Sequence, residues 1–302
     1  MKILVVGGTG LIGGSTALSL SLLGHDVTVA ARHVAPEGSA IADLPAVSID
    51  YLAAEQNLDQ LGYFDSLVFA GGNDFRHIPD GTSEGEFWLQ ANIKGVPRFF
   101  SAAKKAGIKR AVYVGTYYPQ TMPHLIETIP YVHSRHAADV AVRALASSSF
   151  RVCSVNPPSV IGVVPGHVDN RLRARAHYAL GRMPKIPNFA IGGGTNVMST
   201  RSLSEAISGA LLAGEPGKAY LVGDENLRFK QYLEEFFRAA GHEINLPVID
   251  REHPLFPDSA IYFGRGNTLF YEPDEREKDL LQYRRNDITR TVMEIVNYYK
   301  GY

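Results

Sequence analysis

The sequence predicts an α/β fold: a doubly wound parallel sheet with a smaller C-terminal α/β unit interleaved with it. Through the first half of the chain, short segments that are apolar throughout alternate with longer segments whose apolar residues recur every three or four positions. Strands without polar residues are typical of a parallel sheet that helices cover on both faces. Glycine-rich turns follow the first and fourth of these strands, as expected where regular elements end.

The elements of this half follow from that pattern. Strands are predicted at 2–6, 26–31, 47–49, 66–70, 111–114 and 150–155. Helices are predicted at 11–23, 86–106 and 131–146. The second of these helices ends at Gly107 and carries Lys104 and Lys105 in its last turn, where positive charge is favoured by the helix dipole.

The second half is less regular. Prolines and glycines interrupt it after Asn156, and it contains no internal repeat or low-complexity linker. Its predicted elements are helices at 172–180, 203–212, 229–240 and 288–299 and a strand at 219–222. We therefore expect this half to fold onto the first as a smaller, irregular unit.

Composition and charge exclude several classes of protein. The 302 residues are 45% hydrophobic and 20% charged, which is ordinary for a globular domain and excludes disordered and collagen-like chains. Thirty basic residues against thirty-one acidic ones give no surplus for binding nucleic acid. The uncharged segment 3–24 contains too many glycines for a signal core or a membrane span. The single cysteine, Cys153, fits a reducing compartment, and we expect a cytoplasmic protein.

The turn after the first strand carries a phosphate-binding motif. Residues 7–13 read Gly-Gly-Thr-Gly-Leu-Ile-Gly, which satisfies G-x-G-x-x-G between a strand and a helix. Small residues here permit the turn, the approach of a pyrophosphate and close packing of the helix, whose N-terminus attracts anions. The residues expected to contact a dinucleotide cofactor are Gly7, Thr9, Gly10, Leu11, Ile12 and Gly13.

The end of the second strand indicates which dinucleotide is bound. NAD sites usually place an Asp or Glu there to accept a hydrogen bond from the ribose 2′-hydroxyl. This chain has Ala30-Ala31-Arg32-His33 instead, and the guanidinium of Arg32 suits a 2′-phosphate. We predict that NADP(H) is preferred, with NAD(H) as the other possible cofactor.

Further motifs follow in a fixed order. They are Phe69-Ala70-Gly71-Gly72, Asn92-Ile93-Lys94-Gly95, Val112-Tyr113-Val114-Gly115-Thr116, Tyr131-Val132-His133-Ser134-Arg135 and Asn156-Pro157-Pro158-Ser159-Val160-Ile161-Gly162. With the glycine turn, they resemble motifs of the extended short-chain dehydrogenase/reductase family over nearly the whole chain. The last two resemble that family's Y-x-x-x-K and R-P-x-x-V-Y-G sequences.

The resemblance implies a division of the chain and a set of site residues. A dinucleotide-binding (Rossmann) domain would span residues 1–157 and about 195–214, and a substrate-binding domain about 158–194 and 215–302. The implied cofactor contacts beyond the glycine turn are Ala70, Gly71, Gly72 and Pro157. The implied catalytic residues are Thr116, Tyr131 and Arg135, with Asn92 supporting them.

The chemistry of Tyr131 and Arg135 can also be argued from the residues. Positions four apart on a helix share one face, so the two side chains point to the same place. A phenol has an ordinary pKa of about 10 and is a poor base at pH 7. A fixed positive charge beside it favours the phenolate, so that Tyr131 can exchange a proton with an alcohol or carbonyl. Thr116 would hydrogen-bond the same substrate oxygen.

Two departures from the family pattern leave alternatives open. Arg135 stands where the family has Lys, and arginine does not release a proton because its pKa exceeds about 12. The site is then either a working enzyme whose proton passes through Tyr131 and water, or a degenerate site that binds cofactor without turnover. Gly115-Thr116 stands where Ser-Ser is frequent, so Tyr117 is an alternative to Thr116.

The function predicted from these residues is an NADP(H)-dependent oxidoreductase that interconverts a carbonyl and a secondary alcohol on a small organic substrate. The alternatives are a nucleotide-sugar epimerase or dehydratase, and a cofactor-binding regulatory or scaffold protein without turnover. The expected partner is a small-molecule substrate, with no nucleic acid and no membrane. Related proteins often pair, which leaves a homodimer open.

Other residue groups favour structural roles. His133 and His136 lack a third ligand at metal-binding spacing, so no metal site is predicted. The arginines of segment 171–182 favour a solvated face, with an anionic group of the substrate as the alternative. The aromatic pairs 262–263 and 270–271 favour a small core over an apolar pocket.

Overall fold

Two sheets organise the computed structural model, which describes residues 1–31, 35, 37–53, 58–73 and 77–302. The strands of the described residues are β1 (Lys2–Val6), β2 (Asp26–Ala31), β3 (Ala46–Ser48), β4 (Ser66–Phe69), β5 (Arg110–Val114), β6 (Arg151–Asn156), β7 (Ser159–Ile161), β8 (Gly194–Ser199), β9 (Ala219–Leu221), β10 (Glu225–Arg228) and β11 (Thr268–Leu269). Seven of them form the main sheet in the order β3-β2-β1-β4-β5-β6-β9, and every pair in it is parallel.

The helices differ in length and in the face that they cover. They are α1 (Leu11–Leu22), α2 (Leu58–Leu61), α3 (Glu84–Trp88), α4 (Val96–Lys105), α5 (Tyr118–Thr121), α6 (Leu125–Thr128), α7 (Pro130–Arg143), α8 (Asn170–Ala179), α9 (Thr200–Ala213), α10 (Phe229–Ala239), α11 (Glu275–Leu281) and α12 (Ile288–Lys300). Buried residues of α1 and α9 form a core with one face of the main sheet, and those of α4 and α7 with the other face. The predicted doubly wound α/β fold is confirmed.

The C-terminal unit has its own sheet and core. The central strand β8 pairs with β10 in antiparallel register on one edge, while β7 and β11 share its other edge in parallel register. Helices α8, α10 and α12 contribute to a third core, which also contains Tyr117 and Tyr118 from the segment that follows β5. This segment therefore links the core of the C-terminal unit to the main sheet.

The long helix predicted at 86–106 is interrupted. A π-helical segment, Leu89–Gly95, lies between α3 and α4. Pro97 stands in the first turn of α4, and its ring has no N–H to donate to a carbonyl of the preceding turn. The wider π-turn ahead of this proline is the physical reason why one regular helix does not continue.

Two strands lie in a different sheet from the one that the predicted division into domains implies. Strand β8 belongs to the small sheet, although residues about 195–214 were assigned to the dinucleotide-binding domain. Strand β9 belongs to the main sheet, beside β6, although residues 215–302 were assigned to the substrate-binding domain. Short strands carry little periodicity, and their partners are far away in sequence, so pairing rather than local pattern decides their sheet. The division into two domains stays a prediction.

Candidate active site

A cavity of about 580 Å³ opens at the carboxyl ends of β1, β4, β5 and β6. Its wall runs from the turn after β1, past the ends of β4 and β5, to the start of α7 and the loop after β6. The chain crosses over in opposite directions from β1 and from β4, and the crevice left between such strands is where open α/β sheets bind ligands.

The turn between β1 and α1 is packed so closely that glycine is required. Gly7 has a φ of 77°, and a side chain there would overlap the backbone of Ala70 and Gly71. A Cβ on Gly13 would overlap the carbonyl oxygen of Gly7. Gly10 begins α1 as an N-cap without a capping side chain, so the helix presents a positively polarised N-terminus at the cavity.

All predicted cofactor contacts that lie within the described residues line this cavity. Besides the glycine turn, they come from the end of β4 and from the loop after β6, and they are Gly7, Thr9, Gly10, Leu11, Ile12, Gly13, Ala70, Gly71, Gly72 and Pro157. Arg32 lies outside the described residues, so its contact with a 2′-phosphate stays a prediction.

Thr116 and Tyr131 both line the cavity. Thr116 follows β5 and is 9% exposed. The alternative candidate, Tyr117, points elsewhere, because its hydroxyl lies 3.1 Å from Oγ1 of Thr195 in a buried contact. The structure therefore favours Thr116 over Tyr117 as the residue that can reach a bound substrate.

Tyr131 is positioned by the first turn of α7, which starts at Pro130. The hydroxyl of Ser134 donates to the carbonyl oxygen of Tyr131 at 2.8 Å and accepts from Nδ2 of Asn92 at 3.0 Å. Asn92 is 1% exposed, lies in the π-helical segment and is not among the residues that line the cavity. Through this bond it holds the helix turn of Ser134, and its supporting role in catalysis stays a prediction.

Arg135 is a buried cation on the cavity wall. Its Nη2 donates to the carbonyl oxygen of Val114 at 2.7 Å, and its Nη1 lies so close to Gly72 that a Cβ there would overlap it. The guanidinium carbon is 5.3 Å from the ring centre of Tyr113. Burial lowers the pKa of Arg135, but its surroundings, Tyr113 and Tyr131 first, raise it by more, so the group stays charged.

Aromatic rings pack around Tyr131. Trp88 packs against it edge-on at 5.5 Å, and Tyr262 stacks on it at 5.2 Å between ring centres. Tyr118 packs on Tyr262 in turn. The predicted core role of the pair 262–263 thus holds for Phe263, which is 9% exposed, while Tyr262 reaches the candidate acid/base. Sequence reasoning missed this contact, since more than a hundred residues separate the two rings.

The arginines of segment 171–182 separate into different roles. Arg171 lines the cavity and forms a two-point ion pair with Asp169, at 2.7 and 3.2 Å. Burial raises the pKa of Asp169, but the hydrogen bonds and charge of Arg171 lower it by more. Arg175 lies over the ring of Phe256 at 4.6 Å, and Arg182 donates to backbone carbonyls at the C-terminus. The expected solvated face describes Arg171, which is exposed although it lines the cavity, and the half-buried Arg173, which bonds the exposed Asn170.

Other lining residues were not predicted. Tyr51 and Asn73 hydrogen-bond each other at the floor of the cavity, beside the end of β4. His167 also lines the cavity, and burial lowers its pKa. The only sequence signal for Tyr51 and Asn73 is their position after β3 and β4, because loops that follow parallel strands meet at one edge of the sheet. His167 follows β7 of the small sheet and carries no such signal.

No helix among the described residues is long and apolar enough to cross a membrane.

Comparison with known proteins agrees with this geometry. A curated 2-alkyl-3-oxoalkanoate reductase of Stenotrophomonas maltophilia is 25% identical over 266 residues, which are 80% of this chain and 76% of the relative. A UDP-N-acetylglucosamine 4-epimerase structure from Bacillus cereus is 16% identical and superposes over the whole of both chains with a TM-score of 0.76. The Bordetella bronchiseptica enzyme WbmH, solved with NAD+, is 17% identical, with a TM-score of 0.74 over 100% of this chain and 99% of its own.

The fold and the glycine turn define a nucleotide-binding protein of the Rossmann class. The chain belongs to the NAD dependent epimerase/dehydratase family, whose model matches residues 3–223. The resemblance to extended short-chain dehydrogenases/reductases is thereby confirmed.

The residues present fit a nicotinamide dinucleotide. The glycine turn leaves a groove that a single Cβ would fill, and the uncapped start of α1 suits a pyrophosphate. Gly71 and Gly72 carry no side chain at the end of β4, where the cavity continues toward Tyr131. Arg135 and Tyr131 would hold the nicotinamide ribose at that end.

Proposed function

We propose that the protein is an NADP(H)-dependent oxidoreductase that interconverts a carbonyl and a secondary alcohol on a small organic substrate. The observation that carries this proposal is that Thr116, Tyr131 and Arg135 line the same cavity as the glycine turn. A proton donor, a hydrogen-bond donor and a fixed positive charge thus lie beside the place for the dinucleotide.

Each side chain has a distinct task in the proposed reduction. A nicotinamide cofactor, when bound, would supply the hydride that the carbonyl carbon receives. The Tyr131 hydroxyl donates its proton to the carbonyl oxygen, and the hydroxyl of Thr116 hydrogen-bonds that oxygen as negative charge develops. Arg135 stabilises the resulting phenolate through its charge, and the proton of Tyr131 is replaced from water, since the guanidinium keeps its own protons.

The preference for NADP(H) is supported by the sequence at the end of β2. No acidic residue occupies Ala30-Ala31-Arg32-His33, and Arg32 can pair with a 2′-phosphate. A titration that follows nucleotide fluorescence should give a lower dissociation constant for NADPH than for NADH. Equal or tighter binding of NADH would contradict the preference, and Arg32→Ala should remove it.

The substrate proposal takes its first candidates from the curated relative, whose name specifies reduction of a 3-oxo acid. We therefore expect 2-alkyl-3-oxoalkanoates and simpler 3-oxo acids or esters to oxidise added NADPH. The wall that such a substrate would meet contains Arg171 on one side and the rings around Tyr131 on the other.

The test compares wild type with Tyr131→Phe, followed as loss of NADPH absorbance over a panel of carbonyl compounds. We expect kcat to fall by at least about 100-fold, because the phenol supplies the proton. Tyr63→Phe is the matched control, since Tyr63 is 58% exposed and packs on Phe64 away from the cavity. Its kcat should equal that of wild type.

The other functions predict different outcomes. A nucleotide-sugar epimerase or dehydratase returns hydride to its substrate, so it would convert a nucleotide sugar without consuming added NADPH. A binding protein without turnover would retain NADPH affinity and show no activity that Tyr131→Phe affects. Either result would contradict the oxidoreductase proposal.

A further inference from the structure

A buried polar cluster lies behind the wall of the active site, between β5, β6 and α7. In the described part of the chain, five of its atoms are buried and have no hydrogen bond of good geometry: Tyr113 Oη, Arg135 Nε, Asp139 Oδ1, Ser154 Oγ and Asn156 Oδ1. The Arg135 guanidinium nevertheless lies close enough to the Tyr113 hydroxyl to act on its pKa. The five residues are between 0% and 7% exposed. Buried polar atoms are nearly always paired in proteins, so a group of unpaired ones requires a physical explanation.

These five residues are neighbours in the fold. Tyr113 and Ser154 face each other across β5 and β6, and Asn156 follows Ser154 by two positions on the same face. A Cβ on Gly115 would overlap Asn156 Oδ1, so that oxygen occupies space left by a glycine. The Arg135 guanidinium lies over the Tyr113 ring.

Asp139 completes the cluster from the same helix as Arg135. The two are four positions apart on α7, whose next buried residues, Ala138 and Val142, pack with Tyr113 in one core. One carboxylate oxygen of Asp139, Oδ2, accepts from Nε of Arg143 at 3.1 Å. The other oxygen, Oδ1, is the unpaired one.

The unpaired atoms include both donors and acceptors. Nε of Arg135 and the two hydroxyls can donate, whereas the oxygens of Asp139 and Asn156 accept. Burial raises the pKa of the Tyr113 phenol to about 12, so that it remains a neutral donor. Water both accepts and donates, and ordered water is how folded proteins satisfy such mixed clusters.

We propose that this cluster binds ordered water that links Nε of Arg135 to Oδ1 of Asp139, and that Asp139 is thereby a positioning residue for Arg135. The guanidinium then has three contacts: the hydrogen bond to the carbonyl of Val114, close packing against Gly72, and the water. Lysine has no nitrogen at the position of Nε, so the third contact is specific to arginine.

Three departures from the family pattern meet at this cluster. Arg135 stands where the family has Lys, Asn156 stands where its R-P-x-x-V-Y-G loop has Arg, and Gly115 stands where Ser is frequent. The glycine leaves space for Asn156, whose oxygen lies on the side of β5 and β6 that faces α7. The replacements at 115 and 156 therefore fit each other, beside the strand end whose carbonyl accepts from Arg135.

The electrostatic consequence for Tyr131 rests on the proposed function. The titratable and charged groups around the Arg135 guanidinium are Tyr113, Tyr131, Tyr51 and Asp139. Asp139 supplies the negative charge among them, so Asp139→Asn leaves the site more positive and favours the phenolate of Tyr131. We expect the pKa seen in the pH profile of kcat to fall by about half a unit, and kcat itself to fall about tenfold as Arg135 loses its third contact.

Two measurements that do not need turnover test the water itself. A high-resolution crystal structure of the full chain should show at least one water within hydrogen-bond distance of both Arg135 Nε and Asp139 Oδ1. A dry cluster, or a direct contact between the two residues, would overturn the proposal. Arg135→Gln and Asp139→Asn should also be coupled, so that the double variant is destabilised by less than the sum of the single ones; additive effects would overturn it too.

The kinetic arm uses Asp59→Asn as the matched control. Asp59 is exposed on α2 and does not line the cavity, so its variant should leave the pH profile of kcat unshifted. A downward shift in Asp139→Asn but not in Asp59→Asn supports the positioning role, and equal profiles contradict it. If no carbonyl compound is reduced, the proposed function fails while the crystal structure and the coupling still decide the water site.

Discussion

The two ends of the cavity are built in different ways. The nucleotide end consists of backbone: the glycine turn after β1 and the glycines after β4, brought together because their strands are adjacent. The end near Tyr131 consists of side chains from β5, α7 and the C-terminal unit, which meet only in the folded chain. The first end thus depends on local sequence and the second on packing, and each can be tested by changing one end alone.

The largest expected effect is at the nucleotide end. Gly13→Ala should weaken NADPH binding more than about 100-fold and lower the free energy of unfolding by about 2 kcal/mol, because its Cβ overlaps the Gly7 carbonyl. Gly10→Ala is the control, since its Cβ would lie 3.4 Å from the nearest atom. It should reduce affinity without changing stability, as measured by fluorescence titration and urea unfolding. A Gly13→Ala protein of wild-type stability would show that the turn accommodates a Cβ at position 13, and this would contradict the prediction.

The next effect concerns the end near Tyr131. Arg135→Lys should lower kcat by about 30- to 100-fold, although it restores the residue of the family pattern, because the bond to the Val114 carbonyl and the contact at Gly72 suit a guanidinium. Arg143→Lys on the same helix should leave kcat unchanged. A gain in kcat for Arg135→Lys would contradict this prediction. It would mean that arginine weakens the catalytic end, which would then be a degenerate form of the family's site.

The smallest expected effect is on the pH dependence of stability, and it concerns the core of the C-terminal unit only. His253 in the C-terminal unit is 0% exposed, and burial, followed by the charge of Arg175, lowers its pKa from 6.5 to about 4. The unfolded chain takes up this proton first as the pH falls, so stability is lost between about pH 6.5 and 4. The expected loss is about 2 kcal/mol at pH 5.

The measurement is urea unfolding of wild type and His253→Asn at pH 7 and 5, with exposed His133→Asn as the control. Asparagine keeps an acceptor for the backbone N–H of Leu255, which donates to Nδ1 of His253. Asp224 affects the pH dependence of stability with the opposite sign, because burial raises its pKa to about 6. Its contribution is the same in both proteins, so the effect of His253 is taken from the difference between variant and wild type. An unchanged pH dependence in His253→Asn would contradict the assignment.

The secondary-structure elements that could be predicted from the sequence are those that depend on local residues, and those that depend on packing could not be predicted. Strands β1, β2 and β5, helix α1 and the glycine turn were predicted within a residue or two, because apolar runs and glycines are local signals. Helix α7 begins within one residue of its predicted start and ends three residues earlier than predicted. None of the strands of the small sheet was predicted; the strand predicted at 219–222 is β9, which lies in the main sheet. The strands of the small sheet are two to six residues long and pair with distant segments, so no local period marks them.

The site shows the same limit residue by residue. Tyr131 and Arg135 were predicted to share a face because helix geometry places residues four apart on one side. That Tyr117 turns toward Thr195, that Tyr262 stacks on Tyr131 and that Arg171 pairs with Asp169 at the cavity all depend on contacts between remote segments.

The sequence by itself determined the fold class, the nucleotide-binding turn and the Tyr131–Arg135 pair, because periodicity, glycine and helix spacing are properties of neighbouring residues. Only the tertiary structure decided which atoms surround Arg135. Its bond to Val114, its contact with Gly72 and the unpaired oxygens of Asp139 and Asn156 come from four separate segments. Burial brings these groups together and excludes bulk water, and this makes the position of a single charge a property of the whole fold.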